Sequence, residues 1–151
     1  MNNEQLTAKI LSFEPSAEVK EGHQYLTATV ASDKVHALAK NLRGSKDTNF
    51  DYLFCLTGMD YGDSLGVIYH LESTNLKHQL VIKTVCPDKE KPVLDTLCDI
   101  WRTTEFLERE VFDLFGINFN NHPDMRRIFL EEDWVGYPLR KDYSDNNIIV
   151  K

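Results

Sequence analysis

No apolar run in this 151-residue chain approaches the ~20 residues that a bilayer-spanning helix requires. A place on a membrane would therefore come through association with another protein. The N-terminal run MNNEQLTAKILSFEPS holds no apolar core of signal-peptide length. Basic residues are outnumbered, 17 Lys and Arg against 24 Asp and Glu, giving a formal net charge of -7. Broad nucleic-acid binding needs a clustered Lys/Arg face, so no nucleic-acid partner is expected. Cysteine is scarce: Cys55, Cys86 and Cys98 form no CxxC pair and have no zinc or iron–sulfur spacing. They read as buried thiols, and an odd count without a leader points to a reducing compartment. The 7 glycines are scattered, with neither GxGxxG nor a phosphate-cradling loop. No Ser or Cys stands in a nucleophile motif near His122, and no second His has metal-ligand spacing.

What is present is ordinary globular composition, 42% hydrophobic and 27% charged. A chain of this size buries roughly two thirds of its unfolded surface and can build its own core. Leu6, Ile10 and Phe13 recur at helical spacing before Pro15. Glu18 to Glu21 and Tyr25 to Ala31 read as strands around a turn at Gly22 and His23. Ser32 is a candidate cap for a helix carrying Val35, Leu38, Ala39 and Leu42 on one face, with Gly44 closing it. Three strands follow, at Phe50 to Thr57, Leu65 to Glu72 and Leu76 to Val85. Pro92 suits the first turn of a helix with Leu94, Leu97, Cys98 and Trp101 as its stripe. Thr103 or Thr104 should cap another helix running to Phe115, which Gly116 ends.

The expected fold is α+β and two-layered: helix, two strands, helix, three strands, then two helices and an extended C-terminal segment. Short turns predict a largely antiparallel sheet. Residues 1–116 are expected to form the α+β domain with its closing helices, and 117–151 an extended docking tail. That tail is rich in Pro, Gly, Asn and Asp yet carries Phe119, Met125, Ile128, Phe129, Leu130, Trp134, Tyr137, Leu139 and Tyr143. Such apolar content must pack on its own domain or on a partner.

On the last helix, Leu107, Val111 and Leu114 define a stripe, and Glu110 sits beside it. A carboxylate buried there needs a partner, with Arg126, Arg127 and Arg140 as candidates. Glu108 and Arg109 should project to the side. Arg126 and Arg127 are adjacent, so one can pair internally while the other faces outward. Arg140, Lys141 and Asp142 form a second compact charged group. Arginine suits bidentate pairing at desolvated interfaces. These residues favour a non-catalytic domain with a docking tail.

The run EREVFDLFGINFNNHPDMRRIFL, Glu108 to Leu130, closely resembles the signature of the thirty-kilodalton subunit of respiratory complex I. This is the C subunit of bacterial NADH:quinone oxidoreductase. The run WVGYPLRKDY, Trp134 to Tyr143, resembles the second block of that family. Two positions depart: Asn121 stands where the family usually has Gly, and Tyr137 where it commonly has His. Asn tolerates a left-handed backbone, so the turn at Asn121 should survive. Contacts made by longer tails in many relatives are expected to be missing.

The resemblance implies a mixed sheet and a hydrophilic subunit of the peripheral arm, on the cytoplasmic side of the bacterial inner membrane. It implies a chain without flavin, cluster or metal that packs on the forty-nine-kilodalton-like subunit and on cluster-bearing neighbours. The assembly would carry FMN and iron–sulfur clusters and use NADH and a quinone. Implied interface or structural residues are Glu108, Arg109, Glu110, Asp113, His122, Asp124, Arg126, Arg127, Trp134, Arg140, Lys141 and Asp142, none catalytic. The alternative is the same domain in a membrane-bound nickel–iron hydrogenase or a ferredoxin-fed complex. A reading from another class, a stand-alone hydrolase, requires Glu110 and His122 in one pocket.

Overall fold

A computed structural model describes residues 1–145. The chain opens on helix α1 (Asn3–Phe13), started by a capping box. Asn2 Oδ1 accepts from the Gln5 N–H at 2.9 Å, and Gln5 Oε1 accepts from the Asn2 N–H at 3.1 Å. Strands β1 (Glu18–Glu21) and β2 (Leu26–Thr29) form the expected antiparallel pair. Helix α2 (Val35–Gly44) buries Val35, Leu38, Ala39 and Leu42, the face its spacing predicts. Full burial of each such aliphatic side chain contributes roughly 1.5–3 kcal/mol. Ser32 does not cap this helix: Ser32 to Lys34 form a short 3-10 turn with no side-chain cap bond.

Strands β3 (Tyr52–Asp60), β4 (Leu65–Ser73) and β5 (His78–Val85) follow through short turns. The sheet order is β1-β2-β5-β4-β3, with β2 and β5 parallel and every other pair antiparallel. The sheet is therefore mixed and largely antiparallel, within a two-layer α+β fold. One sheet face carries Ala28, Ile82, Val67 and Tyr69 into the core. On β3 the register shifts between Leu53 and Cys55. That irregularity lets Leu53 and Leu56, three apart, both be buried. Trp101 anchors the later chain to this layer, its Nε1–H donating to the Phe50 carbonyl at 3.0 Å.

The expected helix from Pro92 through Trp101 does not form. Val93–Asp95 is instead strand β6, paired in parallel with β7 (Asn118–Asn120). Leu97 to Trp101 make a single turn, in which the Ile100 and Trp101 N–H groups both donate to Leu97 O at 2.9 Å. The N–H groups that a helix would use are taken elsewhere. Thr96 N–H donates to Asn120 O, Leu97 N–H to the Glu108 carboxylate, and Cys98 N–H to the Thr96 hydroxyl. Leu94, Leu97 and Trp101 are buried all the same. Their spacing reported burial without reporting a helix.

Helix α3 (Thr104–Phe115) runs against β3 and ends at Gly116, whose φ of 72° is left-handed. Thr103 holds the N-cap position but makes no cap bond, because its hydroxyl donates to Leu53 O at 3.0 Å. A Cβ at Gly116 would stand 2.5 Å from the Tyr137 ring. Glycine is thus required there twice, by its backbone and by the tail packed on it.

Candidate functional site

Helix α3 is amphipathic in an unexpected way. Thr104, Glu108 and Val111, at i, i+4 and i+7, face the core, while Arg109 and Asp113 are buried under the tail. Glu110, expected at a buried pairing position, is exposed and has no ion pair or hydrogen bond among the described residues. The Leu107, Val111 and Leu114 stripe misled because Leu107 and Leu114 are only half-buried. The true inward face lies one position round the helix, so the buried glutamate is Glu108.

Asp113 is the hub of the tail. Its Oδ2 accepts the consecutive backbone N–H groups of Ile128, Phe129 and Leu130 at 3.1, 2.7 and 3.0 Å. Such successive N–H groups form an anion-binding concavity. Its Oδ1 accepts from Arg127 Nη1 at 2.9 Å. Burial alone would push this carboxyl up, but the three N–H groups and the guanidinium outweigh it and hold it below the usual carboxylate range. Arg127 also donates to the Asp113, Trp134 and Gly136 carbonyls at 2.9, 2.9 and 3.1 Å. One ion pair thereby fixes two separate stretches of irregular chain.

Two further arginines complete the clamp. Buried Arg109 donates to the Arg126 and Arg127 carbonyls at 3.1 and 2.9 Å. Arg140 donates from Nε to Phe115 O at 2.6 Å, satisfying an orphan carbonyl at the negative end of α3. The Arg127 and Arg140 guanidinium groups both stand over the Tyr137 ring, 5.1 and 5.0 Å from its centre. Asp60 at the end of β3 accepts the Lys141 N–H at 2.8 Å, and that bond leads in holding its carboxyl low. Asp142 meets Lys89 at 3.4 Å on the surface. Among the described residues Arg126 pairs with Asp124 alone, at 2.9 Å and well exposed, so this contact adds little stability.

Glu108 sits in a second, inner cluster. It accepts from the Thr96 hydroxyl at 2.5 Å and the Leu97 N–H at 2.8 Å, with Cys98 Sγ at 3.4 Å and His122 Nε2 at 3.8 Å. Burial pushes its carboxyl above the usual range, outweighing the hydrogen bonds from Leu97, Thr96 and Cys98, and burial likewise raises the Cys98 thiol. The ligand atoms of Cys98, Glu108 and His122 lie within 4.8 Å of one another. They already have partners, however. His122 Nδ1 accepts the Asp124 N–H at 3.0 Å, which makes Nε2 the N–H that donates to Glu105 O at 2.9 Å. A metal ion would need the lone pair that this proton occupies, so the donor set does not fit one. The cluster ties β6, α3 and the 122–124 loop together. Asn121, just before it, adopts φ 64°, as its tolerance of the left-handed region predicts.

The hydrolase reading fails on geometry. The His122 side chain is fully enclosed, and the pocket beside Glu110 contains no histidine. Beside its charged residues Arg126, Glu131, Glu132, Asp133, Lys141 and Asp142, the tail also presents apolar side chains outward: Phe129 is 66% exposed, Val135 87%, Leu139 52% and Trp134 40%. Single exposed apolar residues are ordinary, and here four of them fall within residues 129–139 of one pinned segment.

The class this arrangement defines is an α+β domain whose irregular, charge-clamped tail exposes apolar side chains among charged ones. Comparison with known proteins narrows it. The profile of the family described as respiratory-chain NADH dehydrogenase, 30 kDa subunit, matches residues 28–147. The chain is 51% identical over 118 residues to the C/D subunit of NADH-quinone oxidoreductase from Phocaeicola vulgatus, covering 78% of this chain and 22% of that one. It is 47% identical over 114 residues to the C subunit of the Chloroherpeton thalassium enzyme, covering 74% and 47%. Against the C subunit from Geobacter sulfurreducens it is 42% identical over 135 residues, covering 83% and 78%. It also superposes, with a TM-score of 0.78 and 31% identity, on a chain of the membrane-bound sulfane sulfur reductase, an archaeal respiratory membrane complex. That match covers 93% of this chain and 85% of the other.

The chain belongs to the 30 kDa subunit family of respiratory-chain NADH dehydrogenase. It spans about a fifth of the Phocaeicola C/D relative and about half of the Chloroherpeton one. No described helix is long and apolar enough to cross a membrane.

Proposed function

We propose that this chain is a non-catalytic, hydrophilic peripheral-arm subunit of a proton-translocating NADH:quinone oxidoreductase. It packs through its tail on the forty-nine-kilodalton-like subunit near the quinone site, on the cytoplasmic side of the membrane. The observation that carries this reading is the tail itself. Residues 118–145 lack regular structure beyond β7, yet Asp113, Arg109, Arg127 and Arg140 hold them in one shape with apolar side chains outward. A prefixed apolar surface loses little conformational freedom when a partner covers it. The C/D relatives agree with a subunit role, because there the stretch matching this domain is only about a fifth of a much longer chain.

On this reading residues 117–151 act as the docking unit and 1–116 as the body that positions it. Hydride and electron transfer belong to FMN and iron–sulfur clusters on neighbouring subunits, and the isolated chain is inactive. Affinity purification of the membrane complex through a tag on this chain tests the proposal. Recovery of the forty-nine-kilodalton-like and cluster-bearing subunits in fixed ratio is expected, and recovery of the chain alone would refute it. The likeness to a chain of the sulfane sulfur reductase supports a second reading, the same domain in a related membrane complex with another electron donor. Genes for NADH-binding subunits beside this one favour the first, and hydrogenase or ferredoxin-linked genes the second.

A further inference from the structure

Between α3 and the edge strand β3 lies a groove of about 160 Å³, walled by Leu56, Thr57, Val111, Leu114, Phe115 and Leu139. Gly58 forms part of its lining and lets α3 come close. A Cβ there would stand 2.5 Å from the Phe115 ring. A space of roughly 150 Å³ accepts one benzene ring, so the groove fits one aliphatic or aromatic side chain. Glu110 stands on the same lining, exposed and without a partner among the described residues. Nearby carboxylates differ: Asp113 is taken by Arg127 and backbone N–H groups, and Asp60 by the Gly62 and Lys141 N–H groups.

We propose that this groove and Glu110 together receive a two-residue anchor from the forty-nine-kilodalton-like partner, one apolar side chain in the groove and a Lys or Arg paired with Glu110. The inference rests on the docking function proposed above. Charge argues for the cation. A chain seated in the groove strips water from Glu110, and a desolvated carboxylate is costly unless the incoming surface brings a positive group. Position argues for the partner. Leu139 is both a wall of the groove and one of the tail's outward apolar residues, so a chain lying along the tail reaches the groove directly. The pair would act chiefly in specificity and in slowing dissociation.

The test uses the assembled membrane complex, with a photo-crosslinking residue at Leu139 and, separately, at Val135. Both positions are expected to crosslink to the forty-nine-kilodalton-like partner. Glu110→Arg is expected to lower recovery of this chain in the complex by tenfold or more, and Glu110→Gln by less, as for loss of one member of a desolvated interfacial pair. Both variants keep the melting temperature of the unmodified chain, because Glu110 has no ion pair or hydrogen bond among the described residues. Crosslinking from Val135 but not Leu139, or full recovery of Glu110→Arg, overturns the groove anchor and leaves tail docking standing. Crosslinks from Leu139 to residues 146–151 of the same chain, or to a second copy, overturn it as well. Failure at both positions removes the docking function together with the anchor.

Discussion

Replacing Asp113 should unfasten the tail while leaving the sheet intact. In Asp113→Ala the N–H groups of Ile128, Phe129 and Leu130 lose a charged acceptor, and the largely buried Arg127 loses its counter-ion. Hydrogen bonds to charged groups are worth about 1.5–3 kcal/mol each but do not add, and removing one member of a buried pair costs about 3–5 kcal/mol. A loss of ~4 kcal/mol is expected. For a chain of this length that corresponds to a fall of roughly 8–16 °C in melting temperature. Asp113→Asn keeps one acceptor oxygen but turns an amide NH2 toward Arg127, so about 1.5–3 kcal/mol is expected. Thermal unfolding measures the global effect, and limited proteolysis shows new cleavage within residues 121–145. The carboxyl is held low in the fold, so its contribution is present above the unfolded range near ~3.9 and is lost as pH falls through the depressed value. Asp113→Asn should therefore be less acid-sensitive than the unmodified chain. A melting temperature within about 2 °C of the original, with unchanged cleavage, would refute the hub.

Other substitutions probe the surroundings. Gly116→Ala should cost ~1–2 kcal/mol for its left-handed backbone alone, with displacement of Tyr137 in addition, read by denaturant unfolding. Glu108→Ala leaves the Leu97 N–H and the Thr96 hydroxyl without an acceptor and should cost about 2–4 kcal/mol. Because burial raises the Glu108 carboxyl, its favourable contribution is complete below the unfolded range near ~4.3 and is lost as pH rises through the raised value. Glu108→Gln should thus gain on the unmodified chain as pH increases, and parallel unfolding curves across pH would contradict this. Thiol titration of the native protein near pH 8 should find Cys86 slowest, since it is buried and its thiol is pushed up to about 11.

The layers and most strands were legible because hydrophobic alternation and turn residues are local signals. The α2 face Val35, Leu38, Ala39 and Leu42 emerged as its spacing requires. The segment from Pro92 to Trp101 was not legible, because Glu108 and Asn120, both later in the chain, take the N–H groups that decide between helix and strand. Which side chains pair within the tail was not legible. Asp113 and Arg127 both stand out in the sequence, but nothing local joins them across an irregular loop. Glu110 and Glu108 were exchanged in burial because an apolar stripe on a short helix fixes its inward face only to within one position. A usable signal lay in Thr104, Glu108, Val111 and Phe115, which share a face and begin on a residue able to bond backward, as Thr104 does to Trp101 O.

The claim at the centre of this account is that the tail exists to be covered by a larger partner. Hydrogen exchange of the chain, free and within the purified membrane complex, tests it most directly. The account predicts added protection concentrated on residues 128–143 and the exposed side of α3, with the β4 and β5 amides unchanged. Equal exchange in the two states across the tail would contradict it.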